Sequence, residues 1–193
     1  MVAMIMRAAT RILIKHGYDA LNTNLVAREA GASVGSLYQY FSSKEALVAA
    51  LVEEHVEVTM RSLRKEVPQI YALPVARATE RMIQLMFEAH QIEPDLHRVF
   101  YEQLPRVGDF VKLEASLEES TALVQAYLEA HADEVVPKNH ALSAFILVST
   151  VETLTHRAVI SRPVKHRAPE VIAEIIRLVH GYLLPPSALQ GAK

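Results

Sequence analysis

The chain has 193 residues, 51% of them hydrophobic and 22% charged, which is enough to bury a sizeable core as one domain or as a small domain joined to a larger one. Cysteine is absent, which excludes disulfides, thiolate nucleophiles and cysteine-ligated zinc and suits a reducing cytoplasm, the expected location. The formal charge of −2 argues against a general nucleic-acid binder, but residues 1–47 carry five basic and three acidic side chains, a net +2, so the basic excess is concentrated at one end.

In chain order, Ile5, Ala8, Ala9, Ile12 and Leu13 form the one-sided stripe of an amphipathic first helix that Gly17 ends. Arg7 and Arg11 lie inside that pattern, so the apolar N-terminus reads as helix rather than as a signal peptide. Tyr18 and Leu21 plug the base of the core, with the Tyr18 hydroxyl toward water. Asn22 is the N-cap of a short second helix with Val26, Ala27 and Ala30 inward, and Gly31 is its left-handed terminator. Ser33 caps a third helix. Its Leu37 and Phe41, four apart, face inward and leave Ser36, Tyr38, Gln39 and Tyr40 pointing elsewhere. Two short helices joined by a tight glycine turn describe a helix-turn-helix, whose second helix enters the major groove of DNA.

The stretch AREAGASVGSLYQYFSSKEAL resembles the DNA-binding signature of the tetracycline-repressor (TetR) family of transcriptional regulators: the Ala-Gly turn, the Leu-Tyr pair, the aromatic two residues later, Phe41 and the Lys44-Glu45 opening of the next helix match in order. The close match covers about residues 3–50, and the later helices agree in number and length. The resemblance implies that Val34, Gly35, Ser36, Gln39 and Tyr40 meet bases or nearby backbone, and that Tyr38 and Lys44 meet phosphates. Thr23 and Asn24 would reach backbone or a base edge. Elementary recognition chemistry agrees, since Gln39 can pair bidentately with adenine, Ser36 can bond either strand's acceptors, and Val34 can touch a thymine methyl. Gly35, which costs about 1 kcal/mol in a helix relative to alanine, is explained by close approach to the nucleic acid.

Ser42, Ser43, Lys44 and Glu45 read as a capping box opening a long connecting helix to about Glu66, before Val67-Pro68 stops it. After a short linker, Pro68 to Pro74, helices follow over Val75–Ile92, Pro94–Leu104, Asp109–Ala132, Asn139–Ser161 and Pro169–Leu184. The fold class is therefore all-α with about nine helices: a DNA-binding domain over residues 1–47 and a helical regulatory and dimerisation domain over 48–193. The longest uncharged apolar run, Ala141–Val151, is too short for a membrane span, so no membrane partner is expected.

The last two helices are apolar on nearly every face, which points to a four-helix interface across a two-fold axis. Its candidates are Leu142, Phe145, Ser149, Glu152 and His156 with Ile175, Leu178, Val179 and Tyr182. The resemblance implies a ligand cavity among the preceding helices, with Phe87, His90, Tyr101, Phe110 and Tyr127 as candidate wall residues and the effector unspecified. No catalytic signature, phosphate-binding loop or histidine spacing of a zinc site appears, so neither a catalytic residue nor a metal or other cofactor is expected. The leading reading is a homodimeric repressor of a palindromic operator, released by a small molecule. The alternatives are an all-α metal-binding protein or enzyme using the Glu/His-rich C-terminal half, and a helical adaptor that has lost DNA binding.

Overall fold

The computed structural model describes residues 1–107, 111–160 and 167–189, and among them the secondary structure is entirely helical. The helices are α1 (Val2–Ala20), α2 (Thr23–Ala30), α3 (Val34–Tyr40), α4 (Lys44–Tyr71), α5 (Val75–His90), α6 (Pro94–Val107), α7 (Val111–Ala130), α8 (His140–Ile160), α9 (Ala168–Leu183) and α10 (Pro186–Leu189). The tenth is a single turn that Pro186 starts, since proline at the first helical position is already set to a helical φ. No helix of the described residues is long and apolar enough to cross a membrane.

The chain packs as two units: Met1–Val58 with Glu93–Leu113, and Thr59–Ile92 with Glu114–Lys193. Packing thus recruits α6 to the helix-turn-helix unit, a grouping that the division at residue 47 does not contain. The cause is chemical complementarity at a distance. Leu96, Val99 and Phe100 of α6 join the core made by the α1 stripe, Val26, Ala27 and Ala30 of α2, Leu37 of α3 and Leu47, Val48, Leu51 and Val52 of α4. Each buried valine, leucine, isoleucine or phenylalanine side chain there contributes on the order of 1.5–3 kcal/mol.

Local signals place the first four helices. Gly17, at φ +76°, breaks α1 where expected, and a short turn follows to Ala20. The Asn22 side chain accepts the Leu25 N–H at 2.8 Å, and Gly31 terminates α2 in the left-handed region at φ +66°. Ser33 accepts the Ser36 N–H at 3.0 Å to start α3. For α4 the cap is Ser43, whose Oγ accepts the Ala46 N–H at 3.1 Å, so Glu45 falls one residue short of the position that a capping box requires.

Two expectations are corrected here. The connecting helix does not stop before Pro68 but runs through it to Tyr71. A proline inside a helix removes a donor and costs about 3 kcal/mol or more. Burial of Ile70 and the Tyr71 hydroxyl, which donates to the Leu123 carbonyl at 2.7 Å, hold the last turn in place. The Tyr18 hydroxyl is likewise not left to water, because it donates to Glu45 Oε1 at 3.2 Å.

Candidate nucleic-acid interface and the cavity of the second unit

In the first unit, α3 is divided cleanly between packing and display. Leu37 is fully buried and Phe41 is buried at the helix end, whereas Tyr38, Gln39 and Tyr40 are exposed, the two tyrosines by about half (50% and 51%). The Tyr38 hydroxyl lies 3.1 Å from Thr23 Oγ1, which ties the start of α2 to the outer side of α3. Asn24 is exposed beside it. Ser36 and Ser33 share a hydrogen bond between hydroxyls at 2.8 Å, and Val34 is half-buried against the core, so less of it is free for a thymine methyl than the sequence suggests.

Lys44 is held in position before any phosphate arrives. Its ammonium donates to the Tyr18 carbonyl at 3.0 Å and sits 3.9 Å from the centre of the Tyr18 ring. An ammonium has three donors, so capacity for a phosphate oxygen remains. Burial, then the neighbouring Glu45 carboxylate, raises the Tyr18 hydroxyl above the ordinary tyrosine value and keeps it a neutral donor. A Cβ built on Gly35 would meet only Ser33 Oγ, at an ordinary 3.9 Å. Nothing among the described residues requires glycine at that position.

In the second unit, α4, α5, α7, α8 and α9 enclose a cavity of about 130 Å³. An apolar space of roughly that size holds a benzene-sized group, and Met60, Met82 and Met86 in its wall can reshape around a larger one. The polar groups of the wall are mostly engaged. Tyr127 donates to the Leu73 carbonyl at 2.6 Å, and Arg64 grips Glu119 side-on with two contacts of 2.7 Å. Desolvation, then Glu134, pushes the Tyr127 hydroxyl up to about 12. The Arg64 guanidinium holds the Glu119 carboxyl below its usual value. Glu152 is the one carboxylate among the described lining residues, and burial pushes it up to about 7.

Of the candidate wall residues, Tyr127 lines this cavity. Phe87 and His90 are buried in the same unit but not in its wall, because they pack elsewhere: Phe87 is 1% exposed, and His90 bonds the Met86 carbonyl and His156. Tyr101 belongs to α6 of the first unit and is exposed, while its neighbours Val99 and Phe100 take the inward positions. Phe110 lies outside the described residues. Glu152, assigned from sequence to an interface between subunits, turns inward to the cavity. Its signal was legible as the sole charged residue between Ala141 and Thr155. Arg64, Thr79 and Ser120 of the wall carried no sequence signal that separates them from ordinary helix positions.

The helix faces expected to meet a partner also divide. Leu142, Phe145 and Ser149 of α8 and Leu178 of α9 are exposed, and Ile146 joins them. Ile175 and Val179 are buried within the unit and are corrected to core positions. His156 pairs with His90, and the Tyr182 hydroxyl lies 3.0 Å from Ser143 Oγ, so both are engaged within their own unit.

The buried carboxyl makes stability depend on pH. Glu152 ionises near 4.5 unfolded and near 7 folded, so between those values the native state holds the extra proton. Stability therefore falls as pH rises through that window and reaches its lower plateau above about 7. Glu152→Gln removes the penalty. It is expected to stabilise by about 1–3 kcal/mol at pH 8, raising Tm by roughly 2–12 °C, with the gain vanishing near pH 4. Thermal melts at the two pH values check this, and an equal shift at both would reject the buried-carboxyl account.

Two family models match the chain: "Bacterial regulatory proteins, tetR family" over residues 5–51 and "Tetracyclin repressor-like, C-terminal domain" over residues 74–183. Among curated relatives, the HTH-type transcriptional regulator YerO of Bacillus subtilis is 27% identical over 84 residues, 44% of this chain and 29% of that protein. The HTH-type transcriptional activator FasR of Mycolicibacterium smegmatis is 36% identical over 58 residues, 30% of this chain and 26% of that protein. The matched stretches thus span less than a third of these relatives' lengths. Among solved structures, the fatty acid degradation regulator FadR from Bacillus halodurans superposes with a TM-score of 0.73 at 18% identity, covering 93% of this chain and 94% of that one. SmeT, the repressor of the Stenotrophomonas maltophilia multidrug efflux pump SmeDEF, superposes with a TM-score of 0.70 at 16% identity, covering 96% and 91%. At these identities the structures establish a shared fold.

Proposed function

The chain belongs to the tetracycline-repressor family of DNA-binding, ligand-responsive transcriptional regulators, and from that premise we propose that it acts in the cytoplasm as a homodimer that represses transcription. The dimer occupies a palindromic operator and releases it when a small, mostly hydrocarbon or aromatic effector enters the cavity of the second unit. The observation that carries the reading is the display of Tyr38, Gln39 and Tyr40 on a helix whose opposite side is sealed by Leu37. An ordinary surface helix carries lysine and glutamate there, whereas these three groups can pair with bases and phosphates.

Two features support pairing of subunits. Leu142, Phe145 and Ile146 of α8 and Leu178 of α9 expose apolar side chains, and Gly181 of α9 has open space where a Cβ would stand. A helix glycine that nothing among the described residues requires suits the close approach of a second helix. Paired reading heads also double the modest basic excess of residues 1–47. For release, α4 is the shared element: it supplies Leu47 and Leu51 to the core behind α3, and Met60, Leu63 and Arg64 to the cavity wall. A tenfold loss of operator affinity needs only about 1.4 kcal/mol of differential binding to the two states.

Selection of duplexes from a random DNA pool by the purified chain tests the reading. Enrichment of a palindrome with half-site centres about one helical turn or a multiple apart is expected, and a pool that stays random through successive rounds contradicts it. Gly35→Ala provides a finer check: the change stabilises the fold by up to about 1 kcal/mol through helix propensity, yet weakens binding to the enriched duplex at least tenfold by blocking close approach. Unchanged affinity in an anisotropy titration would show that Gly35 is merely tolerated.

A further inference from the structure

His90 of α5 and His156 of α8 are 66 positions apart in the chain, yet their Nε2 atoms lie 3.1 Å from each other. The opposite nitrogen of each ring faces an acceptor. His90 Nδ1 lies 2.6 Å from the Met86 carbonyl, which can only accept, so Nδ1 carries the hydrogen. His90 Nε2 is then the acceptor in the pair, and His156 Nε2 donates to it. His156 Nδ1 in turn faces Glu152 Oε1 at 3.8 Å. His90 is buried, and the His156 and Glu152 side chains are 14% and 21% exposed, so little water competes for these groups.

Metal-binding histidines bring one ring nitrogen each close together and turn the other to a backbone carbonyl or a carboxylate that sets the tautomer and raises basicity. His90 and His156 have their Nε2 atoms so placed, with the Met86 carbonyl bonded to His90 and the Glu152 carboxyl facing His156. We propose that His90 Nε2 and His156 Nε2 together bind a divalent transition cation of the zinc, nickel or copper class, with the Met86 carbonyl and Glu152 as the orienting groups behind them. With metal–nitrogen bonds of about 2.0–2.1 Å, a separation of 3.1 Å subtends about 100° at the ion, so the spacing of the two nitrogens suits a tetrahedral site. Imidazole nitrogen suits these three ions, and hard cations such as magnesium and calcium prefer oxygen.

The protons balance. Without the ion, the hydrogen on His156 Nε2 lies between the two Nε2 atoms. For the ion to bind, that hydrogen shifts to His156 Nδ1, the nitrogen that faces Glu152, and both Nε2 lone pairs become available. Solvent protons compete for the same nitrogens, so binding weakens as pH falls. Met86 and Glu152 also line the cavity, so the site borders the space assigned to an effector, although metal binding stands or falls independently of any effect on DNA.

The test is calorimetric titration of chelator-stripped full-length chain with zinc chloride or nickel chloride. One tight ion per chain is expected near neutral pH, with affinity that falls when the titration is repeated at lower pH. His90→Gln and His156→Gln should each weaken binding at least tenfold while circular dichroism shows the helices intact, and Glu152→Gln should weaken it 10- to 100-fold. Unchanged affinity and stoichiometry in His156→Gln would place the ion on others of the nine histidines and overturn the proposal, as would absence of the tight ion in the wild-type chain. Should a histidine variant fail to fold, X-ray absorption on the zinc-loaded wild type decides. Two imidazole nitrogens at about 2.0–2.1 Å support the site, and fewer than two reject it.

Discussion

Replacing Gln39 and Tyr40 together by alanine is expected to cost at least about 30-fold in affinity for the enriched operator while leaving the helical signal and thermal midpoint nearly unchanged. Both side chains are exposed on α3, and the core beneath them is closed by Leu37 and Phe41, so truncation opens no cavity. Removing a side chain that reads a base costs roughly 1–3 kcal/mol, and two such removals correspond to about 30-fold to 10⁴-fold. These side chains specify sequence more than they supply charge, so the variant keeps its weak, salt-sensitive binding to unrelated DNA. Anisotropy titrations on both duplexes measure the difference. Wild-type affinity in the double variant would remove α3 from the interface.

A second large effect is expected from Phe145→Glu combined with Leu178→Glu. These side chains are exposed by 60% and 52%, so the substitutions leave the core of the second unit untouched. In a two-fold interface built on these faces the change places four carboxylates in the apolar seam and replaces packing by burial of like charges. The outcome is a folded monomer in sedimentation, with operator affinity reduced at least a hundredfold and a salt dependence about half as steep, because one reading head meets half the phosphates. A double variant that sediments as a dimer would move the interface away from α8 and α9.

The reading half of the molecule was legible because its determinants are local. Asn22, Gly31 and Ser33 each act within four residues, and the Leu37/Phe41 spacing says which side of α3 is displayed. The regulatory half resisted the same reasoning for equally physical reasons. On α8 and α9 nearly every position is apolar, so composition did not separate the buried Ile175 and Val179 from the exposed Phe145 and Leu178. Only packing of the unit resolves that choice. Tyr101 shows the same difficulty on α6, where the adjacent Phe100 took the buried position. Pro68 misled because a sound local rule was outweighed by the bond that α4 makes with a residue some fifty positions away. The His90–His156 pair arises from helices far apart in sequence, and no spacing along the chain encodes it.

The most direct test of the account is the binding of the wild-type chain, near physiological salt, to its enriched duplex and to a scrambled duplex of the same composition. The account predicts saturation at two chains per enriched duplex and at least a thousandfold weaker binding to the scrambled one. Equal affinity for the two would contradict it, since α3 would then display Tyr38, Gln39 and Tyr40 without reading sequence.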